Sequence, residues 1–138
     1  MIQELTGEFR FLSNFWSCYV EYNGITYPSV ENAYQAAKCL HDEDRLFFYT
    51  CKASEAKRRG RVIEMRPDWD EVRLDIMLYL VRQKFAKEPL RGKLLATAPN
   101  EIQEGNWWGD TFWGTCNGRG ENHLGKILVQ VRDETEVL

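Results

Sequence analysis

The sequence is short of groups that hold metals or cross-links. Its four cysteines, Cys18, Cys39, Cys51 and Cys116, show no C-x-x-C spacing, and His41 and His123 are its two histidines. That donor set argues against a zinc site and suggests no disulfide framework. No apolar run has the length of a membrane span, and no signal peptide heads the chain. These absences predict a protein of the reducing cytoplasm with no membrane partner. An excess of positive charge is missing too: the net charge is -3, which offers no broad basic field for duplex nucleic acid. No internal repeat or low-complexity stretch is visible.

What is present fits one soluble globular domain. The 138 residues are enough to bury a core, and 43% hydrophobic with 28% charged residues is ordinary for such a chain. Aromatic residues are plentiful at 13%, which supplies rings for stacking on a flat ligand as well as for the core.

The segment Pro28-Ser29-Val30-Glu31-Asn32-Ala33-Tyr34-Gln35-Ala36-Ala37-Lys38 organises the rest. Ser29 can cap a helix, because its hydroxyl can accept from free N–H groups of the first turn. On a helical wheel Ala33, Ala36, Ala37 and Leu40 gather on one side, and Glu31, Gln35 and Lys38 on the other. A carboxylate, an amide and an amine thus share one stripe, flanked by Tyr34. Such a stripe is either a solvated face or a site.

Around it, Phe9 to Phe11 alternates as a strand would, and Ser13 and Asn14 either brace backbone or face a ligand. Asn23-Gly24 between two β-rich runs is a hairpin signal. Short helices are expected over 42–49 and 54–59, the second closed by Gly60 as a C′ residue. The longest helix should run from 70 to 87 with two apolar stripes, implying burial between layers. A short helix over 90–98, a short strand over 100–105 and a last helix capped by Asn122 complete the chain. The expected class is α+β, a single compact, mostly helical domain with a small antiparallel sheet, spanning 1–138.

Three further features stand out. Trp69 opens the long helix, where it either staples the entry or stacks on a ligand. Gly109-Asp110-x-x-Trp113-Gly114 lets a loop hold a carboxylate near a ligand, or simply uses Asp110 to cap a turn. Lys52, Lys57, Arg58, Arg59 and Arg61 are a basic cluster, either a solvated helix end or a phosphate contact. Two carboxylates, an amine and stacking rings suit cleavage at a sugar anomeric carbon.

The ordered motifs Phe11-Leu12-Ser13-Asn14-Phe15, Pro28 to Lys38, Lys84-Phe85, Leu94-Leu95-Ala96-Thr97, Asp110-Thr111-Phe112-Trp113-Gly114 and Asn122-His123-Leu124-Gly125 resemble those of the NADAR family, the YbiA-like N-glycosidases. The resemblance runs from about Phe9 to Arg132 and implies a YbiA-like fold. It implies hydrolysis of an N-glycosidic bond without metal or redox cofactor. The implied substrate is a small phosphorylated nucleoside-like molecule, a riboflavin-pathway ribosylaminopyrimidine 5′-phosphate giving free base and ribose 5-phosphate. Other members of the family remove ADP-ribose from guanine in nucleic acid, and that activity is the alternative the resemblance implies for this chain.

Carried over, the catalytic acid falls on Glu31, the loop acid on Asp110 and the Schiff-base lysine on Lys38, with Trp69 as the stacking ring. Asn14, Gln35, Tyr34, Trp113 and Arg119 complete the candidate substrate-binding set. Lys57, Arg58, Arg59 or Arg119 would meet the phosphate. A non-catalytic ADP-ribose or nucleotide-binding module is the rival from another class, but it has no need for an acid and an amine on one helix face.

Overall fold

The structure is a computed structural model that describes residues 1–135. It is mostly helical with short β pairings, in the α+β class expected from the sequence. Contacts divide the chain into two units: Asn14–Lys84, and a second that joins Met1–Ser13 to the chain from Phe85 onward.

In the first unit, Asn23-Gly24 closes a hairpin between β1 (Val20–Tyr22) and β2 (Ile25–Tyr27), paired antiparallel with Val20 opposite Tyr27. Both turn residues take positive φ, 49° and 83°, as a type I′ turn requires. Pro28 and Ser29 then lead into α1 (Val30–Lys38).

Every residue of α1 from Val30 to Ala37 is buried. Of the two readings of the polar stripe, the solvated face therefore gives way to a helix packed all round. Leu40, expected with the alanines, lies past the helix end and is exposed. The hairpin and three helices supply that packing: α3 (Phe47–Thr50), α4 (Ala53–Arg59) and α5 (Trp69–Lys84). The helix expected over 42–49 is two single turns, α2 (Asp42–Arg45) and α3, in which Phe48 is the buried anchor.

Gly60 closes α4 as expected, with φ -61°, a right-handed conformation. Its requirement is space: a Cβ there would run into Gln35 Oε1. In α5 one stripe is buried, Trp69, Ile76, Met77, Leu80, Val81 and Lys84, while Leu74 and Tyr79 are exposed. So the long helix is one-sided, because the run that includes Leu74 and Leu78 is only partly covered.

The second unit begins with a 3₁₀ helix, Gly7–Leu12, where a strand was expected. Alternation over three positions was too short to specify a strand, and the adjacent residues Phe11 and Leu12 are both buried. Phe11 meets Phe85 edge-on, with ring centroids 6.5 Å apart. After α6 (Leu90–Leu95), the strand expected over 100–105 reduces to a bridge between Ile2 and Ile102 and to β3 (Gly105–Asn106). β3 pairs with β4 (Thr115–Cys116) in parallel, whereas β1 and β2 pair antiparallel.

Helix α7 (His123–Glu134) follows. Asn122 is its N-cap residue but not through its side chain, which donates to Ile102 O and accepts from Glu104 N–H. The free N–H groups of His123 and Leu124 instead donate to the carbonyls of Phe112 and Trp113. Among the described residues no helix is long and apolar enough to cross a membrane.

Candidate active site

The entry to α1 is held from three directions. Ser29 Oγ accepts from the Asn32 N–H at 3.0 Å, and Ser29 Oγ–H donates to Asn32 Oδ1 at 2.6 Å. The Asn32 amide donates onward to the Phe48 and Cys51 carbonyls at 2.9 and 2.8 Å. Glu31 N–H donates to the Asn14 carbonyl at 3.0 Å. These bonds fix the first turn and hence the direction of the Glu31 side chain. Asn32 was not singled out from the sequence, although a Ser followed three residues later by a polar side chain is a capping signal. Asn14 serves through its carbonyl, and its side-chain amide donates to Met77 Sδ at 3.6 Å.

One turn along α1, Gln35 Nε2 donates to Glu31 Oε1 at 2.8 Å. Glu31 is 8% and Gln35 5% exposed, so this is a buried acid with a buried amide assigned to it. Gln35 Oε1 has no hydrogen-bond partner among the described residues and abuts Gly60. One N–H of the amide is thus directed at Glu31, so Gln35 orients the carboxylate.

Tyr34 and Trp69 meet at 5.1 Å between ring centroids, tilted by 56°, and both are buried. Lys38 Nζ stands 5.6 Å from the centroid of the Tyr34 ring. Burial lowers the pKa of the Lys38 ammonium. Glu31 opposes that shift, while Arg73 and Arg61 add to it. Arg61 belongs to the basic cluster read from the sequence as a possible phosphate contact, whereas Arg73 was not among the sequence-derived candidates.

The basic side chains expected to meet phosphate have nearer company. Lys57 Nζ lies 5.9 Å from the Phe15 ring, and the Arg59 guanidinium lies 5.4 Å from the Phe47 ring. Both sit in the last turn of α4, where positive charge complements the helix C-terminus.

Asp110, Trp113 and Arg119 belong to the other unit. Asp110 Oδ1 accepts from the N–H groups of Phe112 and Trp113 at 3.1 and 3.0 Å, the turn-capping arrangement that was one of its two readings. Asn106 braces the same loop, accepting from Asp110 N–H at 3.0 Å and donating to its carbonyl at 2.9 Å. The Trp113 ring packs edge-on to Phe112 at 4.8 Å. Arg119 ends a tight turn built on Asn117 and Gly118 at φ 54° and 77°, and it is exposed.

Comparison with known proteins gives this arrangement its relatives. The sequence model of the NADAR domain matches residues 3–136. The chain belongs to the NADAR family. Among NADAR relatives, N-glycosidase YbiA of Escherichia coli (strain K12) is 31% identical over 130 residues, which cover 91% of this chain and 81% of that protein. The riboflavin biosynthesis protein VVA0006 of Vibrio vulnificus (strain YJ016) is 38% identical over 133 residues. That match takes in 91% of this chain but 35% of the Vibrio protein, so the chain spans about a third of that relative's length. The NMR structure of Escherichia coli YbiA superposes with a TM-score of 0.84 at 30% identity, over 96% of this chain and 82% of that one.

Proposed function

We propose that this NADAR chain is a metal-independent N-glycosidase of the cytoplasm. Its substrate on this reading is a ribosylaminopyrimidine 5′-phosphate, hydrolysed to free base and ribose 5-phosphate. The observation that carries the reading is the buried Glu31 held by Gln35 on α1, beside Lys38 and the Tyr34–Trp69 pair. Relatives named N-glycosidase YbiA and riboflavin biosynthesis protein support the reaction class and the substrate in turn.

In the proposed reaction the bond between the anomeric carbon and the base nitrogen breaks, and its electron pair leaves with the base. Water supplies the hydroxyl to the sugar and, in balance, a proton to the base. Positive charge develops on the anomeric carbon as the bond stretches, so a fixed carboxylate is worth most at that moment. Glu31 is assigned that task, as proton carrier or as charge stabiliser. Lys38 is either the amine that attacks an opened ribose or an electrostatic anchor. The family resemblance assigns the second carboxylate to Asp110.

The test offers the purified protein a ribosylaminopyrimidine 5′-phosphate and, separately, an ADP-ribosylated guanine oligonucleotide, with release of free base followed in each. Cleavage of the first is the expected result. Cleavage of the oligonucleotide alone would move the chain to ADP-ribose removal. Binding of ADP-ribose with no cleavage of either would overturn the enzyme reading.

A further inference from the structure

The last carbonyls of a helix and the first N–H groups of the next have no partner within their own helix, so something outside must take them up. For Lys38 at the end of α1 and Trp69 at the start of α5 that partner is one residue, Arg66, within the unit Asn14–Lys84. Arg66 N–H donates to the Lys38 carbonyl at 2.8 Å, and the Arg66 carbonyl accepts from Trp69 N–H at 3.3 Å. Leu40 N–H donates to the Glu64 carbonyl at 3.0 Å and Cys39 bridges Met65, so 38–40 and 64–66 run antiparallel side by side. Lys38 and Trp69 are thereby tied to one stretch of backbone. They meet again at Tyr34, whose ring centroid lies 5.6 Å from Lys38 Nζ and 5.1 Å from that of Trp69.

The Arg66 side chain holds that stretch in place. Its Nε donates to Asp68 Oδ1 at 2.6 Å and its Nη2 to Asp68 Oδ2 at 3.0 Å, a two-pronged fork that fixes the guanidinium plane. The third nitrogen, Nη1, donates to the Tyr22 hydroxyl oxygen on β1 at 3.0 Å. The Asp68 carbonyl in turn accepts from the N–H groups of Glu71 and Val72, in the first turn of α5, at 3.0 and 3.2 Å. Its hydrogen bonds from Arg66 hold the Asp68 carboxyl below its ordinary pKa, so the fork stays charged at neutral pH. A single pair open to water would contribute little. Here three directed bonds converge on a guanidinium whose side chain is 25% exposed.

We propose that Arg66 is a positioning residue for the site: by locking 66–68 between β1 and α5, its side chain sets where Lys38 and Trp69 stand relative to Tyr34. It acts through the backbone at the ends of two helices rather than through a contact with substrate. Lysine could not replace it, because an ammonium lacks the planar fork that meets both carboxylate oxygens while a third donor reaches β1. The effect falls on rate more than on binding, since a reacting group displaced by about 1 Å can lose roughly 10²-fold. The consequence for turnover rests on the N-glycosidase reading; the placement of Lys38 is measured without any substrate.

The experiment compares wild type, Arg66→Gln, Arg66→Lys and Asp68→Asn, each first shown folded by circular dichroism. Competitive acetylation across a pH series, read at Lys38 by peptide mass, reports its titration among the groups that act on it, Glu31, Arg73, Cys39 and Arg61. Burial lowers the Lys38 pKa in wild type, so loosening its anchorage in Arg66→Gln should move the profile up toward that of an ordinary lysine. Arg66→Lys should recover little of the shift, and Asp68→Asn should show the same direction. On a ribosylaminopyrimidine 5′-phosphate, kcat should fall by about tenfold or more in Arg66→Gln with the Michaelis constant near wild type, the scale of a lost hydrogen bond to a charged group. A lowered urea midpoint with the Lys38 profile and kcat both unchanged would make Arg66 a residue of the fold alone and overturn the proposal. If Arg66→Gln does not fold, Asp68→Asn, which keeps the shape and breaks the charged fork, decides in its place, and an unmoved Lys38 profile there overturns it. A shifted profile in a protein whose wild type releases no base from any substrate upholds the clamp and removes the N-glycosidase reading.

Discussion

Gln35 Nε2 donates to Glu31 Oε1 at 2.8 Å across one turn of α1, and both side chains are buried. The amide is itself pinned, because Gly60 at the end of α4 leaves no room for a side chain beside it. A carboxylate taken out of water needs hydrogen bonds to keep one orientation. Gln35 supplies one of them, and Gly60 is what lets Gln35 occupy that place.

Replacing Gln35 should therefore change turnover more than substrate affinity. Gln35→Leu keeps most of the volume and removes the donor, and steady-state kinetics should show kcat down by roughly 10- to 100-fold, the value of one hydrogen bond to a charged group. A large rise in the Michaelis constant with kcat intact would instead make Gln35 a substrate ligand. Gly60→Ala should destabilise the fold by about 1–3 kcal/mol in urea titrations, the usual cost of forcing atoms into a packed site. Gln35→Ala in the same chain should relieve part of that cost, since the two residues share one space.

Asp110 has a structural task that must be separated from any chemical one. Its Oδ1 accepts from two backbone N–H groups, and asparagine keeps an acceptor there. Asp110→Asn should leave the urea midpoint near wild type and lower kcat by about 10², the scale of a lost acid, base or charge-stabilising group. Asp110→Ala should also lose about 0.5–2 kcal/mol of stability, as for a removed helix cap. Full activity in Asp110→Asn would confine Asp110 to the turn.

How much of this was legible in the sequence follows from how local each signal is. The Asn23-Gly24 hairpin and the Ser29 cap depend on residues within a few positions, and both are present as read. The polar stripe on α1 was visible as a pattern, but its burial comes from the packing of β1, β2, α3, α4 and α5, which no wheel of α1 contains. Gly60 reads as a helix stop, whereas its actual constraint is an approach to Gln35 from twenty-five residues away. Arg73 was overlooked for a similar reason: in sequence it is one charge on a long helix, and its effect on Lys38 depends on the packing of α5 against α1. The Phe9–Phe11 alternation misled because it was too brief to tell a strand from a 3₁₀ turn.

Lys84 gives a pH signature of stability. It is 3% exposed, and burial lowers its pKa from 10.5 to about 7, with the nearby Cys18 thiol opposing the shift. Between about pH 7 and 10.5 the unfolded chain holds this proton and the folded chain does not, so folding stability should rise with pH across that window. Below about pH 7 both states hold the proton and this contribution is flat. Urea midpoints measured across the window should climb in wild type and flatten in Lys84→Met. A slope unchanged by Lys84→Met would assign it to another group.

The most direct test compares wild type with Glu31→Gln on a ribosylaminopyrimidine 5′-phosphate, following release of free base at matched folded protein by circular dichroism. The side chains are nearly the same size, so the fold should persist while the rate falls by around 10² or more, the scale for a lost acid, base or charge-stabilising group. Base release by Glu31→Gln at the wild-type rate would contradict the central assignment, that the buried carboxylate on α1 carries the chemistry.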